Sequence, residues 1–356
     1  MRPWVRRTVK FLVGLALVNS LVMATMPMAL AKSSSTHYIL LRHKNSRFLR
    51  YRARHRRPVV LRGPIWNPYL AGTRTQLVYE RVGKYVGTLY LFRPSRLRKG
   101  VRLSPVVVYF HGGALVKGSA VIQNVNVSPR DWILSHVETY VVDHGGAFVS
   151  VNYRLAPRYK WPAQIDDAKT AIRFLRAKAD SFHLNPRDFA VMGDSAGGAL
   201  ASLVGLSNTS DFNRGPWAHE SSSVSSVVDM FGPVDRRYLE ETWRLRYGLL
   251  PNPVFGNLTP RLVHSASAVS YVHRGAPPFL IIQGTQDTVV PPWLSTELYR
   301  LLQRRSDEAR LVLVHHSEHE FMPVGAPISP TKAAIAADIE SFLMRTPKHR
   351  LPHYSA

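Results

Sequence analysis

The chain has 356 residues, 45% hydrophobic and 20% charged, a balance that fits a globular protein with one large core or two smaller ones. Its formal charge is +24 and it contains no cysteine. The missing cysteine excludes a catalytic thiol, a disulfide framework and cysteine-ligated zinc.

Residues 1–31 read as an export segment. Arg2, Arg6, Arg7 and Lys10 precede an apolar stretch, and Ala29-Leu30-Ala31 offers a cleavage site. The uncharged span Phe11–Ala31 is 21 residues long. About 20 apolar residues cross a bilayer, so an uncleaved anchor is the alternative, although Asn19, Ser20 and Pro27 interrupt the span. Both readings predict an exported protein, secreted or held at the cell envelope. Residues 32–74 form a basic arm. Eight Arg and Lys residues fall between Arg42 and Arg57, with Phe48 and Tyr51 among them. Such a run is either a solvated connector or a contact for an anionic membrane or cell-envelope surface. Nucleic acid is not an expected partner, because no binding motif accompanies the charge.

From Thr75 the pattern turns to strands. Thr75–Val82 and Tyr85–Arg93 flank Gly83-Lys84 as a hairpin. Pro105–Phe110 is a continuous apolar run, suited to a strand buried on both faces of a parallel sheet. It ends in His111-Gly112-Gly113-Ala114, where glycines allow close approach of a ligand and turn N–H groups inward. The N–H groups of Gly112, Gly113 and Ala196 are the candidate oxyanion hole; a plain flexible turn is the alternative. Ala147–Tyr153 is the next strand, followed by Arg154-Leu155-Ala156-Pro157. An amphipathic helix then runs from Pro162 to about Phe182, with Ala168, Ala171, Ile172, Leu175 and Ala179 on one face. Asp166 and Asp167 sit in its first turn and read as structural. Phe189–Met192 leads into Gly193-Asp194-Ser195-Ala196-Gly197-Gly198, and a small-residue helical run follows. This is strand, tight turn, helix, with Ser195 exposed at the turn and a helix dipole aimed at it.

His111-Gly112-Gly113, Tyr153-Arg154-Leu155-Ala156-Pro157 and Gly193–Gly198 occur in this order and spacing. Together they resemble the α/β-hydrolase esterases of the hormone-sensitive-lipase-like and acetyl-esterase/feruloyl-esterase-like groups, over roughly residues 75–345. The resemblance implies an α/β fold with a mostly parallel central sheet and helices on both faces. Two positions depart from it: Ala114, where many relatives carry a third glycine, and Arg158, where relatives often have an acidic residue.

Val224–Phe231 reads as another strand, ending before Asp235, which fits a helix cap better than a catalytic acid. Residues 236–271 are mixed and aromatic, either a lid or pocket wall or a satellite of the core. Pro278–Gly284 is a strand with Asp287 just beyond it, and a helix spans about Trp293–Gln303. Arg310–His315 is the last strand, Thr331–Met344 the closing helix, and 346–356 a tail. Ser195, Asp287 and His319 follow the Ser…Asp…His order of α/β-hydrolases, each on a loop past a strand end. A serine hydroxyl needs a neutral imidazole to take its proton, and a carboxylate to fix the tautomer. His315, His316, Glu318 and Glu320 crowd His319. A metal site from these residues lacks the H-E-x-x-H spacing and leaves the serine turn unexplained. His319 resembles the family's base best, since Phe321 stands where relatives place an aromatic.

The resemblance implies a serine carboxylesterase that needs neither cofactor nor metal. Its substrates would be short-acyl esters, small or linked to polysaccharide. An aryl-formamide or peptide hydrolase of the same fold is the enzymatic alternative. An inactive hydrolase fold serving as a binding module at the cell envelope is the other.

Overall fold

The computed structural model of the protein describes residues 61–62, 72–94, 103–121, 128–238, 252–305 and 307–344. The export segment, the cationic run 42–57 and the 346–356 tail lie outside the described residues.

Nine strands form one sheet among the described residues, in the order β1-β2-β3-β5-β4-β6-β7-β8-β9. They are β1 (Leu61–Arg62), β2 (Gly72–Val82), β3 (Tyr85–Pro94), β4 (Ser104–Phe110), β5 (Ala147–Val151), β6 (Leu184–Asp194), β7 (Ser226–Met230), β8 (Phe279–Gly284) and β9 (Ala309–Val314). The pairs from β1 to β3, and β3 with β5, are antiparallel; every pair from β5 to β9 is parallel. The expected hairpin is present, with Val82 opposite Tyr85 across Gly83-Lys84. The sheet begins earlier than the sequence boundary at residue 75. That boundary falls inside β2, and β1 takes residues 61–62 from the segment read as arm.

The helices are α1 (Pro129–Asp143), α2 (Ala163–Ala177), α3 (Ala179–Phe182), α4 (Ala196–Leu206), α5 (Pro260–Ala266), α6 (Trp293–Arg304) and α7 (Lys332–Met344). The single helix read from 162 to 182 is two, α2 and α3, divided at Lys178.

Strand β4 shows why the central strands are apolar throughout. Val106, Val108 and Phe110 pack on one face, with residues of α2, α4 and α6. Val107 and Tyr109 pack on the other, with residues of α1 and α7. Successive side chains point to opposite faces, so a strand covered on both must be apolar at every position. Each large apolar side chain so buried contributes roughly 1.5–3 kcal/mol. Within the 236–271 segment, Val254, Phe255, Ala266 and Ala268 are buried in the first of these cores. From Asn252 onward that segment is therefore tied into the core rather than lying over it.

Candidate active site

β6 ends at Asp194 and α4 begins at Ala196, so the chain reverses on Ser195 alone. Ser195 has φ 50° and ψ −120°, a conformation that costs a non-glycine residue on the order of 1–3 kcal/mol. The ladder holds it there: Ser195 N–H donates to Met230 O at 2.9 Å, and Ser195 O accepts from Ala199 N–H at 3.1 Å. The flanking glycines have a packing reason. A Cβ on Gly193 would strike the Gly197 carbonyl, and one on Gly197 would strike the Phe110 carbonyl. Strand, turn and helix approach each other more closely than any side chain permits.

His319 Nε2 lies 3.1 Å from Ser195 Oγ, and His319 Nδ1 lies 2.8 Å from Asp287 Oδ2. A carboxylate only accepts, so Nδ1 carries the proton and Nε2 is left to accept from the serine hydroxyl. Asp287 is 4% exposed. Its Oδ1 accepts from Val289 and Val290 N–H at 2.9 and 2.8 Å, and its Oδ2 also from Gln283 Nε2 at 3.1 Å. Four donors thus hold the buried carboxylate in a fixed orientation. Phe231 meets the His319 ring edge-on at 4.8 Å, and Phe321 meets Phe231 at 4.9 Å. Glu318 joins the two loops. Its Oε1 accepts from Thr288 N–H at 2.7 Å and from His319 N–H at 3.2 Å.

The other residues of the histidine cluster turn elsewhere. His315 pairs with Ser329 through its main chain, and both His315 and His316 are exposed. Glu320 faces Arg130 at 3.5 Å. Asp235 accepts from Arg237 N–H at 2.9 Å and pairs with the Arg237 guanidinium.

The oxyanion reading needs one correction. Gly112 N–H donates to Asp194 Oδ1 at 3.1 Å and is committed there. A Cβ on Gly112 would lie 2.5 Å from Asp194 Oδ2, so glycine at this position makes room for the carboxylate. Gly113 and Ala114, at φ 110° and 55°, carry the chain onward. Among the described residues their N–H groups and that of Ala196 have no internal acceptor. The departure at Ala114 is now physical. The position requires the left-handed region, which favours glycine and which Ala114 occupies with strain.

The Tyr153–Pro157 motif supports this loop. Tyr153 Oη donates to His111 O at 2.6 Å, and Ala156 N–H donates to Leu115 O at 2.9 Å. His111 stacks on Tyr153 with ring centroids 4.2 Å apart, and burial lowers its pKa and keeps it neutral. Arg154 grips the fully buried Asp167 through Nε at 2.8 Å and donates its own N–H to Asp167 Oδ2 at 2.7 Å. Asp167 is therefore structural. Arg158, the second departure, is exposed and lies over the Tyr159 ring at 5.3 Å.

Sequence reading assigned no role to Arg130, Tyr109, Asp194 or Gln283, and weighed Glu318 only as a metal ligand. Tyr109 Oη donates to Asp194 Oδ1 at 2.5 Å, and Arg130 Nη1 lies 3.5 Å from Asp194 Oδ2. Asp194 and Glu318 adjoin motif residues, but nothing in their spacing shows which partners the fold brings to them.

A mostly parallel sheet layered by helices, with a strained serine between a strand and a helix and with a histidine and a carboxylate beyond the next strands, defines an α/β-hydrolase. The BD-FAE family profile matches residues 91–302, and the chain belongs to that family. It is 32% identical over 249 residues to the esterase LipC of Mycobacterium tuberculosis, covering 65% of this chain and 57% of LipC. To LipQ of the same organism it is 30% identical, covering 57% of this chain and 46% of LipQ. The chain thus spans about half the length of the curated relatives it matches. A solved carbohydrate esterase from gut microbiota, 22% identical, superposes with a TM-score of 0.58 over 79% of this chain and 98% of that one. These findings agree with the fold class read from the sequence.

Proposed function

We propose that the protein is a serine carboxylesterase. The observation that carries this reading is the continuous contact from Ser195 Oγ through His319 to the buried Asp287 carboxylate. In this reaction the serine oxygen attacks the ester carbonyl carbon while Nε2 of His319 takes its proton. Asp287 stabilises the imidazolium that forms. The carbonyl oxygen becomes negative beside the N–H groups of Gly113, Ala114 and Ala196 and the positive end of α4. The tetrahedral adduct collapses, the alkoxide leaves with the proton from His319, and Ser195 remains acylated. Water, deprotonated by the same imidazole, then releases the acid and restores the hydroxyl. No step requires a cofactor.

Short acyl groups are the proposed substrates, acetyl groups on saccharides among them. Membership of the family and its esterase relatives support the ester class. The lack of a long apolar insert in the sequence supports the small acyl size. We further place the protein outside the cytoplasm, with the 42–57 run in contact with an anionic surface.

A fluorophosphonate probe tests the reading directly. Labelling should occur at Ser195 and vanish in Ser195→Ala, and nitrophenyl acetate or butyrate should turn over faster than the palmitate. An unlabelled, folded wild type would reject the esterase reading. Faster palmitate turnover would reject the acyl preference.

A further inference from the structure

Asp194 precedes Ser195, and the residue is 1% exposed. Oδ1 accepts from Tyr109 Oη and from Gly112 N–H. Oδ2 faces the guanidinium of Arg130, which enters from the second residue of α1. The same guanidinium reaches Glu320 with Nη2 at 3.5 Å. Glu320 follows His319 directly and holds a left-handed backbone, φ 58°, as the turn leaves the histidine. One cation therefore stands between the residue before Ser195 and the residue after His319. Through Asp194 it also reaches the first glycine of the loop that supplies Gly113 and Ala114. Asp131 shares Nη1 at 3.3 Å. Burial alone would lower the Arg130 pKa, but the carboxylates of Asp194, Asp131 and Glu320 hold it above the ordinary arginine value. The charge is permanent at every working pH.

We propose that Arg130 is a positioning residue that locks the serine turn, the oxyanion loop and the histidine loop to one another. The proposal rests on Ser195, His319 and Asp287 acting as the catalytic trio. The geometry is specific to the two ends of that trio's proton transfer. Serine and histidine arrive on loops after β6 and β9, which are not neighbours in the sheet. Their 3.1 Å contact therefore depends on how two separate loops are held. A planar guanidinium presents donors in several directions at once, which a lysine ammonium on a flexible stem does less well. Arg130 touches no reacting atom. Its effect is on how often serine and histidine are aligned, so it should act on kcat and leave KM nearly unchanged.

The experiment compares wild type with Arg130→Met, Arg130→Lys, Glu320→Gln and the Arg130→Met/Glu320→Gln double variant, using nitrophenyl acetate. Rates are expressed per fluorophosphonate-labelled site, so unfolded protein does not count. Arg130→Met should lower kcat about 30- to 100-fold, the scale of a small misplacement of reacting groups, with KM within about two-fold. Arg130→Lys should recover part of this loss. Glu320→Gln should cost about 3- to 10-fold, and the double variant should be no slower than Arg130→Met, because both substitutions break the same link. Wild-type kcat per labelled site in Arg130→Met would overturn the proposal, reducing Arg130 to a stabiliser of Asp194. Losses that multiply in the double variant would overturn it as well. If Arg130→Met fails to fold, Glu320→Gln decides, because that half-exposed side chain can lose its charge without exposing a core; unchanged kcat there rejects the lock. An unlabelled wild type would instead reject the catalytic reading itself.

Discussion

At the scale of single residues, the proposed chemistry depends on which of three neighbouring histidines faces the serine. Only His319 combines a serine on one ring nitrogen with a buried carboxylate on the other. His319→Ala should lower kcat on the order of 10³- to 10⁶-fold while the fold persists. Asp287→Asn should also be strongly slowed, because an amide N–H facing Nδ1 favours the wrong tautomer. His316→Ala should stay near wild type, since the residue is exposed and makes no hydrogen bond with Ser195 or Asp287 among the described residues. Rates measured beside melting temperatures check this; a dead, folded His316→Ala with an active His319→Ala would move the base. His315, exposed as well, should be nearly silent in both measurements.

At the scale of elements, α1 shows how a helix serves two ends. Ser128 caps it by accepting from Asp131 N–H at 3.2 Å, and Pro129 starts it. Its apolar face of Ile133, Leu134, Val137, Val141 and Val142 is buried against the sheet. Its start supplies Arg130 to the site. Further along, Glu138 is buried, with Oε1 lacking a hydrogen-bond partner, and burial pushes its pKa from 4.5 up to about 8. Between those values the folded protein keeps a proton that the unfolded chain releases. Its contribution to stability therefore falls as pH rises from 4.5 to 8, and is level outside that window. The span corresponds to a cost on the order of 5 kcal/mol above pH 8. Glu138→Gln removes this titration. Its melting temperature should match wild type near pH 4 and exceed it increasingly toward pH 8. A gain of equal size at both pH values would contradict the burial account.

At the scale of the whole molecule, the charge of +24 is the property that the site does not explain. The proposed contact of residues 42–57 with anionic surfaces predicts adsorption to anionic vesicles or wall polymer that fades with salt. At 1 M the Debye length shrinks to about 3 Å. Deleting the run should abolish adsorption and leave turnover of a small soluble ester unchanged. Adsorption that ignores salt, or survives the deletion, would reject the contact.

The sequence by itself determined the α/β class, the order of most strands and the glycine-flanked serine. These are local facts: apolar runs of strand length, helical spacing, and the glycine spacing of a tight strand-to-helix turn. Asp287 and His319 were legible because a parallel sheet delivers residues past successive strand ends to one side. The start of α1 was written in Ser128-Pro129 but passed unread, since its buried face stands out only once a sheet exists to cover it. Tertiary structure alone decided the rest. Gly112 was read as an oxyanion donor, and its N–H is taken by Asp194, a residue 82 positions away. Arg130 and Glu320, and likewise Thr288 and Glu318, meet only because a helix start and loops from separate strands converge past the carboxyl ends of the strands. Hydrogen-bond direction and charge pairing act over a few ångströms in space, so no spacing along the chain could assign these partners.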